Sequence, residues 1–253
     1  MGSKGNKRYL KRLNTPSYIH IEKKKYKYFF NPSPGPHPKR FCLPLAHILR
    51  DVLKFAKNAR EAKKIIKSGM VLVDGRVRKD LKYPVGLMDV VEIPSIKKYY
   101  RVIPRKKYGL DCLEIDESEK SFKLCRIENK TIIKGGHIQL NLSDGRNIVI
   151  YVKDPKKPVE DKYKTKDVLK IEIPSQKILD YYPLTENSPI LVMQGKNLGL
   201  WGYLKSIEKR FGPNASIVKF VNTNKEGKEE VFETAYSYSF VIGKNKPEIK
   251  LFE

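Results

Sequence analysis

The sequence predicts an α+β fold, mostly β, built of small modules in series. Three observations carry that expectation. The hydrophobic share is 40% over 253 residues, with 32% charged, which fills several small cores more readily than one large one. Sustained helical periodicity is confined to residues 45–67. From residue 70 onward, short apolar runs alternate with Gly-, Asp- and Pro-containing turns, the pattern of antiparallel strands.

Residues 1–41 read as a basic extension with little core of its own. Eleven basic residues face one acid, Glu22, and the apolar residues keep no period. The run Asn31-Pro32-Ser33-Pro34-Gly35-Pro36-His37-Pro38 holds four prolines. Each lacks a backbone donor and fixes φ, so neither a helix nor a central strand passes through. The expectation is a stiff connector that orders on a partner. Lys23-Lys24-Lys25-Tyr26-Lys27-Tyr28-Phe29-Phe30 sets ammonium groups beside aromatic faces, a mixture suited to phosphates and unstacked bases.

Leu45, Ile48, Leu49, Val52, Leu53 and Ala56 recur at i, i+3, i+4, i+7, i+8 and i+11, one face of a helix. Pro44 stands where a first-turn proline is tolerated, and His47 falls on the polar side, exposed to solvent. A second helix opens at Asn58-Ala59-Arg60-Glu61, a variant of the capping box. Ala62, Ile65 and Ile66 face inward, and Gly69 supplies the stop. On the other side Arg60, Lys63, Lys64 and Lys67 form a cationic ridge about 10 Å long at ~1.5 Å rise per residue. Met70-Val71-Leu72-Val73-Asp74-Gly75-Arg76-Val77-Arg78 then reads as strand, tight turn, strand, because Asp-Gly suits the positive φ that both central residues of the turn require. Arg76 and Arg78 alternate with Val77 and so fall on one side of the ribbon. Residues 83–93 add a turn and an apolar strand.

Farther on, His137-Ile138-Gln139-Leu140-Asn141-Leu142 alternates polar and apolar, Ser143-Asp144-Gly145-Arg146 turns, and 148–152 returns as partner. Asp154-Pro155-Lys156-Lys157-Pro158 breaks the pattern, and 168–173 adds a strand. Residues 189–204 place Gly195, Gly199 and Gly202 between two apolar strands. Strands at 217–221 and 231–233 around a polar turn near Gly227 make a last hairpin.

Charge is unevenly spread. The net is +24. Residues 1–105 hold 26 basic and 7 acidic residues, a net of +19, while 106–253 hold 26 and 21, a net of +5. A binding face is expected to concentrate charge in this way, and the complement of such a face is a polyanion. No apolar stretch reaches the ~18–20 residues of a membrane span. The start of the chain lacks the apolar region of a signal peptide, and Asn6 stands where a myristoylation motif wants Ser or Thr. Three cysteines, Cys42, Cys112 and Cys125, without a CxxC pair argue against a disulfide framework or zinc site; the last two read as small buried residues. Neither cofactor nor metal is expected.

Two short helices followed by the Val-Leu-Val-Asp-Gly-Arg-Val ribbon resemble the α-L RNA-binding module. That module occurs in bacterial ribosomal protein S four, tyrosyl-tRNA synthetases and some pseudouridine synthases. The resemblance implies that Arg60, Lys63, Lys64, Lys67, Arg76 and Arg78 grip the RNA backbone. Further segments widen the likeness: Lys7-Arg8-Tyr9-Leu10-Lys11-Arg12-Leu13, Gly35-Pro36-His37, Cys42-Leu43-Pro44-Leu45, Tyr83-Pro84-Val85-Gly86-Leu87-Met88-Asp89-Val90, Lys123-Leu124-Cys125, Gly195-Lys196-Asn197-Leu198-Gly199 and Phe240-Val241-Ile242-Gly243-Lys244-Asn245-Lys246-Pro247. In that order they are similar to the e-type family of small-subunit ribosomal protein S four, over nearly the whole chain. Residues 189–204 resemble the KOW motif, although Leu200-Trp201 is more apolar than the family's residues there, and the family's basic tail is not matched beyond Phe240-Val241-Ile242-Gly243.

The resemblance implies an α-L RNA-binding module over 42–105 behind the extension 1–41, a central β-barrel-like domain over 106–175, and a KOW-type SH3-like β-barrel over 176–212 that residues 213–253 complete. It implies small-subunit ribosomal RNA and neighbouring small-subunit proteins as partners in the cytoplasm, with nucleolar assembly in a eukaryote, and no membrane or small-molecule substrate. Lys7, Arg8, Lys11, Arg12, Lys24, Lys25, His37, Lys39 and Arg40 join the candidate RNA contacts, as do Lys98, Arg101, Arg105, Lys106 and Lys107 at the entrance to the central β-domain. The competing class is an RNA-modifying enzyme, a pseudouridine synthase carrying the same module. Asp144-Gly145-Arg146-Asn147 lacks the aspartate such an enzyme needs after the arginine, and the four histidines lie apart from any nucleophile spacing.

Overall fold

The computed structural model describes residues 9–16, 18–154, 159–212, 215–223 and 229–252. The chain forms two compact units, Met1–Ile103 with Lys107–Glu114, and Pro104–Lys106 with Ile115–Glu253.

In the first unit, β1 (Leu10–Lys11) and β2 (Tyr28–Phe29) pair antiparallel, with Leu10 opposite Phe29. β3 (Cys42–Pro44) leads into α1 (Leu45–His47). The expected helix does not run on to Ala56. Residues Ile48–Val52 widen into a π-turn, where the Leu53 N–H bonds back to the Ile48 carbonyl at 2.8 Å, and Lys54 takes a positive φ of 58°. The apolar stripe is still buried, because Leu45, Ile48, Leu49 and Ala56 all reach the core. α2 (Ala59–Lys67) follows, then β4 (Leu72–Val73) and β5 (Arg76–Val77), joined at Asp74 and Gly75 with φ of 51° and 69° as a tight hairpin requires. β6 (Pro84–Gly86) returns to pair with β3. β7 (Val90–Ile93), β8 (Lys98–Arg105) and β9 (Gly109–Ile115) complete a sheet of order β5-β4-β7-β8-β9.

The N-terminal segment differs from its expectation. Ile19 and Phe29 are buried in this unit's core, and Leu10, Tyr18, Ile21 and Phe30 pack against it. Six apolar side chains, spread along mostly irregular chain, leave no periodic trace in the sequence yet bury together in three dimensions.

The second unit holds two antiparallel sheets. β10 (Phe122–Ile132), β11 (Ile138–Leu142), β12 (Asn147–Ile150), β13 (Val168–Glu172) and β14 (Ile178–Tyr182) lie in the order β12-β11-β10-β13-β14. β15 (Pro189–Val192), β16 (Trp201–Glu208), β17 (Ile217–Thr223), β18 (Glu229–Ala235) and β19 (Ser239–Val241) lie in the order β18-β17-β16-β15-β19. Leu140, Leu142, Leu169 and Ile171 fill the first core, and Ile190, Leu204, Val218, Phe220 and Phe240 are buried in the second sheet. Arg126 joins them: one guanidinium nitrogen donates to the Ser237 and Ser239 carbonyls at 2.8 Å each, while the group pairs with Glu128. Gly199, at φ 79°, touches the Pro104–Lys106 backbone so closely that a Cβ would lie 2.8 Å from the Lys106 nitrogen. All three cysteines are free, with Cys42 and Cys125 buried and Cys112 half-buried. The breaker at 155–158 and the turn around Gly227 lie outside the described residues.

Candidate nucleic-acid interface

α2 begins where the sequence places it. The Asn58 side chain accepts hydrogen bonds from the Arg60 and Glu61 amides at 2.9 and 3.0 Å, and the Glu61 carboxylate reaches back to the Lys57 amide at 2.7 Å. Ala62 and Ile66 are fully buried, which turns Arg60, Lys63, Lys64 and Lys67 to solvent. Among the described residues no carboxylate lies within ion-pair distance of these four cations or of exposed Arg76. Leaving cations uncompensated in this way costs stability by mutual repulsion, so such a ridge suits an external anion.

The hairpin returns against the C-terminal end of this helix. A Cβ built on Gly69 would sit 3.3 Å from Val77 Cγ1 and 3.8 Å from Lys79 Cε. The ridge and the ribbon are therefore neighbours, and Lys79, absent from the sequence-derived set, extends their shared surface. Its position one residue past the expected strand hid it; only the packing over Gly69 reveals it. Asp74, the sole acid of the hairpin, is turned inward, where its carboxylate accepts from the Val90 amide at 3.0 Å. Arg78 parts from Arg76: it is half-buried, its guanidinium 4.5 Å from the Tyr83 ring centroid.

Several other candidates are structural. Arg12 is 1% exposed: its Nε donates to the Glu22 carbonyl at 2.6 Å, and its guanidinium and that of Arg50 lie 5.3 and 5.4 Å from the Tyr26 ring. It fastens the N-terminal ribbon rather than presenting charge. Arg101 is fully buried within β8. His37 is buried too, its Nε2 2.9 Å from Asp89 Oδ1, while the other Asp89 oxygen accepts from the Gly86 amide at 2.8 Å. His47, expected in solvent, is 1% exposed and hydrogen-bonded through Nδ1 to Asp51 at 2.7 Å, with Phe29 packed on its ring. Burial pushes its pKa down and, with nearby Arg50 and Arg12, outweighs the Asp51 carboxylate. Burial would raise Asp51 in turn, but hydrogen bonds from His47 and Arg50 hold it well below the usual carboxylate range.

The remaining candidates are exposed or nearly so. Lys11, Lys24, Lys39, Arg40, Lys106 and Lys107 are exposed, Lys25 pairs with Glu22 at 3.1 Å, Lys98 pairs with Glu114 at 3.2 Å, and Arg105 stacks on Phe252 at 4.8 Å. Lys7 and Arg8 lie outside the described residues. Among the described residues no helix is long and apolar enough to cross a membrane, and none of them form a group of three or more His, Cys, Asp or Glu side chains placed to hold a metal.

Two short helical segments and an Asp-Gly ribbon on one small core, with an uncompensated cationic face, define a protein of the S4-domain class. The S4 domain matches residues 44–91, the RS4NT (NUC023) domain residues 4–40, and Ribosomal family S4e residues 96–178. Small ribosomal subunit protein eS4 of Staphylothermus marinus is 51% identical over 253 residues, covering 100% of this chain and 99% of that one. The Methanocaldococcus jannaschii protein of the same name is 49% identical over 251 residues, covering 99% of this chain and 100% of that one. The crystal structure of the 30S ribosomal protein S4e from Thermoplasma acidophilum matches with a TM-score of 0.66 at 31% identity, covering 81% of this chain and 96% of that chain. The chain belongs to the small ribosomal subunit protein eS4 family. It is thus a structural ribosomal protein and not an enzyme, and the pseudouridine synthase alternative finds no support.

Proposed function

We propose that the ridge Arg60, Lys63, Lys64 and Lys67, with Arg76 and Lys79 beside it, clasps the phosphate backbone of folded small-subunit ribosomal RNA and holds it during translation. The observation that carries this reading is the run of exposed cations with no carboxylate partner among the described residues, on an S4 domain. Backbone contacts by lysine and arginine supply affinity and set register without reading sequence. Lys11, Lys24, Lys39, Arg40, Lys106 and Lys107 add further phosphate contacts, and neighbouring small-subunit proteins cover other faces. The boundaries 1–41, 42–105, 106–175, 176–212 and 213–253 mark the modules along the chain, the first two sharing one core and residues 107–114 folding with them. Their last two segments form a KOW-type SH3-like barrel, a reading supported by the sheet β18-β17-β16-β15-β19 and the glycine turn that leads into β16.

Charge reversal of Lys63, Lys64 and Arg76 together tests the placement, measured as binding to a small-subunit RNA fragment. The control reverses Lys205, Lys209 and Lys250, which are exposed in the second unit. Lys225 and Lys228 lie outside the described residues. The first variant is expected to lose far more affinity than the second; equal losses would remove the site from α2.

A further inference from the structure

The first unit also carries a groove, lined by two of those further lysines, Lys11 and Lys39, that lies apart from the ridge of α2 in the sequence. Its volume is about 900 Å³, within the roughly 300–1,000 Å³ of small-ligand sites. Tyr9, Leu10, Lys11 and Asn14 line one wall, and residues 31–35 and 37–39 the other. The second wall is stiff. Pro32, Pro34 and Pro38 fix its backbone, and it is pinned by the Ser33 amide on the Lys82 carbonyl at 2.9 Å, by buried His37 on Asp89, and by the Tyr18 hydroxyl on the Lys39 carbonyl. A preformed wall loses little entropy when it is filled.

The chemistry of the lining, and of Tyr28 and Lys27 beside it on the ribbon, is specific. Tyr9 is 52% exposed and meets Tyr28, 50% exposed, edge to face at 5.8 Å, so aromatic surface stands open at the rim. Lys11 lies opposite Tyr28 across the ribbon, and Lys27 sits 5.5 Å from the Tyr28 ring. Lys39 lines the other wall. Among the described residues none of these three lysines has a carboxylate within ion-pair distance. The proline-rich wall offers carbonyl acceptors but few N–H donors, which suits the amino and hydroxyl groups of a nucleoside. Exposed rings beside uncompensated ammonium groups are how proteins hold unstacked bases with their phosphates.

We infer that this groove binds unpaired nucleotides of ribosomal RNA, a base stacking on Tyr9 and Tyr28 while Lys11, Lys27 and Lys39 hold its phosphates. The inference rests on the reading of the chain as an RNA binder, but assigns single-stranded RNA to one face and folded backbone to another.

The full chain is titrated with a labelled single-stranded oligocytidylate of about ten nucleotides and, separately, with an RNA hairpin duplex, at salt high enough to suppress non-specific binding. Replacing Tyr9→Leu and Tyr28→Leu together is expected to weaken single-strand binding at least about five-fold for each base stacked and to leave duplex binding unchanged. Tyr9→Phe with Tyr28→Phe keeps the ring faces and is expected to restore it. Reversal of Lys63, Lys64 and Arg76 is expected to do the opposite, removing duplex binding and sparing the single strand. If the leucine variant binds the single strand as tightly as wild type, or if the phenylalanine variant fails to recover it, the groove is not a stacking site. Equal weakening of a polyglutamate probe by the leucine pair would assign the groove to an acidic protein partner and overturn the inference. A wild-type chain that binds neither RNA would instead sink the underlying reading of the molecule.

Discussion

Two histidines taken from water in the first unit are held by carboxylates, His37 by Asp89 and His47 by Asp51, and the second pair sets a measurable sensitivity. His47 and Asp51 both have depressed pKa values in the fold. The unfolded chain therefore binds more protons as pH falls, and the stability these groups contribute is present above their unfolded values and lost on acidification. His47 acts first, below its ordinary value of 6.5, and Asp51 below 3.8. Thermal melts are expected to show stability dropping between about pH 6.5 and pH 5, and His47→Gln to remove most of that drop. At Gly86 a Cβ would sit 2.2 Å from the His37 ring, a clash in a fully buried site. Gly86→Ala is expected to cost about 1–3 kcal/mol in a urea melt, and His37→Ala in the same chain to relieve part of it, so that the two losses do not add. The residue types were legible in the sequence, but their exposure was not. Arg12, His37 and Arg101 share the composition of phosphate contacts, and only the partners the fold brings them separate a buried tether from a surface cation.

At the scale of elements, α2 is the best-specified part of the chain, since cap, apolar face and charged face all agree in one stretch. Asn58→Ala removes the acceptor for two first-turn amides and is expected to cost about 1 kcal/mol, read as faster hydrogen exchange at Arg60 and Glu61; Asn58→Asp keeps the acceptor and is expected to spare both. The preceding helical segment was specified less well. Its stripe marks the buried face correctly, but periodicity does not distinguish a regular helix from a π-turn followed by irregular chain, because Leu49 and Ala56 stay buried either way. The pairing of β3 with β6 joins segments about forty residues apart, where no local signal exists.

For the whole molecule, the unequal charge of the two parts has a thermodynamic consequence. If about eight phosphates are neutralised, log K for ribosomal RNA is expected to fall with log salt at a slope of roughly −6 to −7, and reversal of Lys63, Lys64 and Arg76 is expected to flatten that slope. Binding that ignores salt would contradict a backbone clasp. In the second unit, Arg126 bridges a strand of one sheet to the chain just before and within β19 of the other. No sequence motif announces that link, because its acceptors are backbone carbonyls more than a hundred residues away.

By itself the sequence determined the modular α+β character, the cationic helix and ribbon, the tight Asp-Gly turn, and the family, since each rests on local spacing or on residues matched in order. The tertiary structure decided which cations face outward, where His37 and His47 go, how the N-terminal segment joins a core, and that a proline-walled groove opens beside two tyrosines. Exposure and partnership depend on chain brought together from distant positions, and distance along the sequence carries no record of that approach.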